Sequence, residues 1–221
     1  MAAPAPLVLQ ASANAWAGND GNWSTWAVEV GTPAQQFNII PSTSHGEVWI
    51  PVPEGCSWLP SSVNCGHSRG VGRFEDKQSE GFQTNVSSSW EQIGIYELFA
   101  GGDLFNTSEA GLYGLDLVSV AQSKSLVSKQ MIAGIATQNF WLGSLGLSRQ
   151  SSDFAVADES IPSFLDVMKT QNYTPSVSFG LAVGASYSES ASKTMHQFAM
   201  LTIVEKTFHL AVLFLEATTS H

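Results

Sequence analysis

Four consecutive residues, Ser42, Thr43, Ser44 and His45 in the stretch IIPSTSHGEVWIP, put three hydroxyls and an imidazole side by side. The chemistry such groups offer is nucleophilic: an imidazole takes the proton of a serine hydroxyl while the oxygen attacks an acyl carbon. That chemistry needs mutual hydrogen-bond reach and a third group to orient the base, whereas neighbours along a strand point to opposite faces. No G-x-S-x-G turn occurs, and GSLGLS does not supply one. His45 is therefore expected to be a solvated turn residue and not the base of a hydrolase. His67, His196, His209 and His221 are too scattered to share a metal ion, so no metal site and no cofactor is expected. Asp116, inside YGLDLV, is expected to make a structural hydrogen bond, and Asp153 to lie in the polar loop SSDFAVADES.

The elements that carry these residues belong to a chain with the balance of an extracellular β protein. It has 221 residues, 43% of them hydrophobic and only 13% charged, with Ser, Thr, Gly and Asn filling most polar positions. The formal charge of −10 and the absence of Lys or Arg before Arg69 would repel a phosphate backbone, which argues against a nucleic-acid partner. Cys56 and Cys65, in GCSWLPSSVNCG, read as a local disulfide, the alternative being two free thiols in a reducing compartment. Four glycosylation sequons start at Asn22, Asn85, Asn106 and Asn172, where about two would arise by chance in so Ser- and Thr-rich a chain. The start MAAPAPLVLQ lacks a basic region and a continuous apolar run, and it reads as a mature N-terminus or the remnant of a signal region. FHLAVLFLEA, the most apolar stretch, is too short and too closely flanked by charge to span a membrane. A secreted or extracellular location is expected.

Periodicity divides the chain into strands with one helix. WSTWAVEVGTPAQQFNIIPSTSHGEVWIPV reads as three antiparallel strands broken at Gly31-Thr32-Pro33, with Trp26 and Trp49 packed in the core. Residues 55–90 are turn-rich, and RGVGRFEDKQSEGF is expected on the surface. GIYELFA and AGLYGLDLVSV form a hairpin; MIAGIA, FWLGSLGLS and PSVSFGLAV are further strands. IPSFLDVMKTQN is the one helix, with Pro162 in its first turn and Phe164, Leu165 and Met168 on one face. After Ala185 the character changes, and the apolar stretch from Phe198 onward is compatible with a helix, with no turn chemistry to join it to the sheet.

Taken in order, these segments resemble the N-terminal lobe of the pepsin-like aspartic proteases, closest to divergent secreted fungal members. VGTPAQQFNII is similar to the family's I-G-T-P-x-Q-x-F hairpin, and EVWIPV to the N-L-W-V-P that follows its first catalytic motif. YGLDLV is similar to Y-G-x-D-T-V, FWLGSLGLS to F-D-G-I-L-G-L, and Cys56 and Cys65 fall at the family's first small disulfide loop. The similarity covers roughly residues 23–184. It implies an all-β, mainly antiparallel acid-protease lobe with one short helix. Residues 1–22 form an N-terminal extension and residues 185–221 a divergent C-terminal tail.

The resemblance also implies a loss. The family's D-T-G-S falls on Ser42, Thr43, Ser44 and His45, so the first catalytic aspartate is replaced by a serine. In that chemistry two carboxylates share one proton and activate a water, which a neutral hydroxyl does not do. Thr43 is retained, and Ser44 adds a Cβ where the family has glycine. No second D-[TS]-G follows residue 42, so the second lobe is absent from this sequence and no catalytic residue is intact. Ser42 and Thr43 become candidates for the floor of a remnant cleft, with Tyr96 above it. The expected function is that of an inactive aspartic-protease-like secreted glycoprotein that holds an extended peptide or a protein partner, with a partner or a second copy over the face of the missing lobe. The alternatives are a piece of an aspartic-type endopeptidase and a β-sandwich adhesion glycoprotein.

Overall fold

The computed structural model describes residues 7–12, 16–21, 23–60, 64–98, 109–120, 126–149, 151, 160–182 and 200–204. Asn22, Asn106, Asp153, His196, His209 and His221 lie outside them. The strands are β1 (Leu7–Gln10), β2 (Trp16–Ala17), β3 (Trp23–Ser24), β4 (Trp26–Val30), β5 (Gln35–Ser42), β6 (Val48–Pro51), β7 (Arg73–Phe74) and β8 (Lys77–Gln78). They continue with β9 (Glu91–Glu97), β10 (Ala110–Val120), β11 (Leu126–Ile135), β12 (Ser144–Gly146), β13 (Ser178–Ala182) and β14 (Met200–Val204). Helices α1 (Cys65–Ser68) and α2 (Phe164–Thr170) are short, so the fold is mainly β, as expected.

The alternation in WAVEV buries Trp26, Val28 and Val30 on one face of β4, and Phe37 and Ile39 do the same on β5. The two strands pair as an antiparallel hairpin, Val28 opposite Phe37, through a turn that starts at Gly31. Gly31 has φ +85°, a left-handed conformation that glycine adopts without the penalty a Cβ brings, and a Cβ there would meet Ser87 Oγ at 2.7 Å.

The third of the expected consecutive strands does not follow its neighbour. β12 lies between β5 and β6, parallel to β5 and antiparallel to β6, and β6 then runs parallel to β11. Because β11 also pairs with β10, and β10 with β4, the strands β11, β6, β12, β5, β4 and β10 close into a six-stranded barrel. β9 extends the barrel from β10 as the other half of the expected hairpin. Local sequence suggested direct β5–β6 pairing. A strand from much later in the chain takes that place because Leu145 buries in the barrel core while Gly143 and Gly146 let its backbone lie against β6 and the loop before it.

Closure buries a core of Val28, Val30, Ile39, Val48, Ile50, Val118, Ile132 and Leu145, capped from outside the ring by Phe164, Leu165 and Met168 of α2. Each such side chain contributes about 1.5–3 kcal/mol when removed from water. α2 starts at Ser163, whose Oγ accepts from the Asp166 N–H at 3.2 Å, so Pro162 precedes the cap instead of standing in the first turn. A second cluster joins Trp49, Tyr113, Met131, Ala133 and Ile135 on the other side of the sheet. Trp26 and Trp49 are core residues, as expected.

Two further segments depart from expectation. Met200–Val204, for which a helix was open, forms β14 between β1 and β13. Within the segment expected on the surface, Arg69, Val71, Ser79 and Phe82 are buried. Arg69 turns inward because its guanidinium donates to the carbonyls of Trp141 and Ile135, each at 3.1 Å, and lies over the Trp141 ring. Burial pushes the Arg69 pKa down to about 10, which leaves it charged at neutral pH. Cys56 and Cys65 are joined by a disulfide, which excludes the free-thiol alternative. Among the described residues no helix is long and apolar enough to cross a membrane.

Candidate functional site

β5 ends at Ser42, and the chain leaves it through residues 43–47 before β6 begins. This loop is strapped to β12 and α2 by main-chain hydrogen bonds. The N–H groups of Leu147, Gly146 and Phe164 donate to the carbonyls of Ser42, Glu47 and Gly46 at 2.7, 3.0 and 2.7 Å. Gly146 is required for that approach, since a Cβ on it would stand 2.3 Å from the Glu47 carbonyl oxygen. The loop is thus tied both to the end of β12 and to the start of α2, which fixes the side chains it carries.

Ser42 is half-buried, and its Oγ lies 2.7 Å from Ser44 Oγ and accepts from the Ser44 N–H at 3.3 Å. The pair is neutral and self-satisfied. It can donate to or accept from an amide, and it cannot hold the negative charge that a shared-proton carboxylate pair holds. Thr43 is exposed and is not among the residues that line the cavity described below. Tyr96 lies half-buried on β9, its ring 6.0 Å from Tyr113 in an edge-on contact, and packs on the cluster around Trp49 without lining that cavity.

His45 is not the solvated turn residue expected: it is 4% exposed and hydrogen-bonded at both ring nitrogens. Nδ1 is 2.9 Å from the carbonyl oxygen of Glu47, which can only accept, so the neutral ring carries its proton on Nδ1. Nε2 is then an acceptor, and Ser144 Oγ donates to it at 2.7 Å. The ring stacks on Trp49 with a centroid separation of 4.1 Å and an interplanar angle of 5°. The Glu47 carboxylate accepts from Trp49 Nε1 at 3.0 Å and from the Gly46 N–H at 3.2 Å. Burial pushes the His45 pKa below its ordinary range, with the Glu47 carboxylate acting in the opposite sense. No sequence pattern pairs His45 with Ser144; the register of β12 against β5 and β6 does.

These groups open into a cavity of about 560 Å³. Trp23, Trp49, Phe140 and Trp141 give it aromatic walls, and Ser42, Ser44, His45 and Ser144 give it polar positions. Asp20 is the one carboxylate among the described lining residues, and it accepts from Trp23 Nε1 at 2.8 Å on the exposed rim. A smaller cavity of about 260 Å³ lies between β10, β11 and α2, bounded by Leu115, Met131, Ile161 and Val167.

The remaining sequence candidates fall elsewhere. Asp116 is fully buried and accepts from Ser87 Oγ, Ser89 Oγ and the Leu117 N–H, the structural role expected of it. Asn85 and Asn172 are exposed, and His67 is exposed on α1. Among the described residues no group of His, Cys, Asp or Glu is placed to hold a metal ion. Ser144 and Glu47 are the site residues that sequence reasoning missed. A scan against protein-family models finds no match to this chain, and a search of curated proteins finds none.

Proposed function

We propose that this chain is a relative of the pepsin-like aspartic proteases, corresponding to their N-terminal lobe and inactive in that family's two-carboxylate hydrolysis, and that it holds an extended peptide or a segment of a protein partner in the cavity around Ser42. The observation that carries the reading is the Ser42–Ser44 hydroxyl pair, at 2.7 Å, lining a cavity whose one carboxylate among the described residues is committed to the rim. Water activation between two carboxylates needs charge at that floor, and two hydroxyls supply none. What the floor does supply is neutral donors and acceptors beside aromatic walls, the chemistry that receives a peptide main chain and an uncharged side chain. The disulfide and the exposed sequon asparagines Asn85 and Asn172 support a secreted, glycosylated protein.

The test pairs binding with cleavage between about pH 3 and 5. Quenching of tryptophan fluorescence by a peptidic transition-state analogue of aspartic proteases, with no cleavage of denatured protein substrate, is the expected outcome. Cleavage blocked by that analogue would overturn the reading, and so would a lack of any fluorescence response to the analogue or to a library of extended peptides.

A further inference from the structure

The pairing of Ser144 with His45 is not used by a peptide-holding cleft. It has the parts of a nucleophile and its base. Ser144 Oγ donates to Nε2 at 2.7 Å, the Glu47 carbonyl fixes the tautomer from the opposite nitrogen at 2.9 Å, and Trp49 fixes the ring plane by stacking. Both residues line the 560 Å³ cavity and are otherwise enclosed, Ser144 being 5% exposed. The parallel register sets Ser144 beside Ile40 and Gly146 beside Ser42, so Ser42 follows two residues along the same face of β5. Its hydroxyl and that of Ser44 bond to each other at 2.7 Å beside the same cavity, and whichever of the two does not donate within the pair keeps its proton for a developing oxyanion.

From this geometry we propose that Ser144 and His45 form an acyl-transfer site for small, uncharged carboxylic esters. Ser144 Oγ attacks the ester carbonyl carbon as its proton passes to His45 Nε2; the tetrahedral adduct collapses, the C–O bond to the alcohol breaks, and the alcohol leaves with that proton. Water then adds to the acyl-serine, again losing a proton to Nε2, and the carboxylic acid departs as Ser144 recovers its hydrogen. Size follows from the cavity volume. Neutrality follows from the chain's formal charge of −10 and from Asp20 at the rim, which disfavour an anionic acyl group. Esters are favoured over amides because the leaving alkoxide is the weaker base, and the group bonded to His45 Nδ1 is the neutral carbonyl of Glu47.

The proposal does not rest on peptide binding, and its test is separate. The full chain is incubated with a fluorophosphonate probe, which loses fluoride as phosphorus bonds to an activated serine, and the adduct is located by peptide mass mapping. An adduct on Ser144 is expected, together with hydrolysis of p-nitrophenyl acetate above the protein-free rate that falls at least about tenfold in Ser144→Ala and in His45→Gln. No adduct, an adduct confined to another residue, or an undiminished rate in a folded Ser144→Ala protein would overturn it. Mapping on the unaltered chain decides the matter even where a variant does not fold. A negative result here leaves the response to the peptidic analogue standing on its own measurement.

Discussion

Ser87 donates to Oδ2 of the fully buried Asp116 at 2.7 Å, which makes the hydroxyl of the Asn85 sequon part of the barrel's foundation. Ser87 Oγ itself accepts from the Thr32 N–H at 3.0 Å, so it also ties the β4–β5 turn to β10. Removing this sequon at its two ends should have unequal consequences. Asn85 is exposed, and Asn85→Gln should change stability by less than about 0.5 kcal/mol in unglycosylated protein. Ser87→Ala leaves a buried carboxylate short of a donor and should cost about 1–3 kcal/mol. Urea midpoints of the two variants from an unglycosylated source check this; equal midpoints would show that the Ser87 contact contributes nothing.

His45 sets a pH dependence. Its folded-state pKa lies below that of the unfolded chain because burial disfavours the imidazolium. Between the unfolded value of about 6.5 and the lower folded value, the unfolded state binds more protons, so stability falls as pH falls. One such group contributes at most about 1.4 kcal/mol per pH unit. The Glu47 carboxylate faces the same ring and opposes the effect, so the diagnostic is the difference between wild type and His45→Gln. Denaturation at pH 7.5 and below pH 6.5 should show the variant losing less stability on acidification; parallel losses would assign the acid sensitivity to other groups. The direction bears on the cleft as well, since the His45 contribution to stability diminishes on the way to the acid range in which an aspartic protease works.

The Cys56–Cys65 disulfide closes a loop of sequence separation 9. Chain entropy assigns so short a loop about 2–3 kcal/mol. Reduction should therefore lower the unfolding free energy obtained from urea denaturation by that amount while the near-ultraviolet circular dichroism of the folded state persists, because Arg69 still ties this region to the carbonyls of Ile135 and Trp141. Loss of the near-ultraviolet signal on reduction alone would mean that the bridge decides the fold.

Where a residue's surroundings are built from its near neighbours, sequence reasoning reached them. Trp26, Val28 and Val30 alternate and are buried; Phe164, Leu165 and Met168 share a helical face and are buried; Cys56 and Cys65 are close enough to pair and do. His45 failed this reasoning because its environment is assembled from Ser144, brought in by a distant strand, and from the carbonyl of Glu47 turned back on it. Arg69 failed for the same reason, since its partners are backbone oxygens of Ile135 and Trp141, and a carbonyl has no signature in a sequence. The hydroxyl floor at Ser42 was accessible, as a matter of residue type; the wall opposite it was not.

The late arrival of β12 has a kinetic meaning. β5 and β6 are made early and within a few residues of each other, yet the strand between them comes about a hundred residues after β5. Until it arrives, the two strands flank a slot one strand wide with unpaired N–H and C=O groups on both edges. Contacts this distant in sequence slow folding and lengthen the exposure of such edges. In the closed barrel the three residues Ser144–Gly146 cover those edges, which would otherwise be a template for strands from other chains.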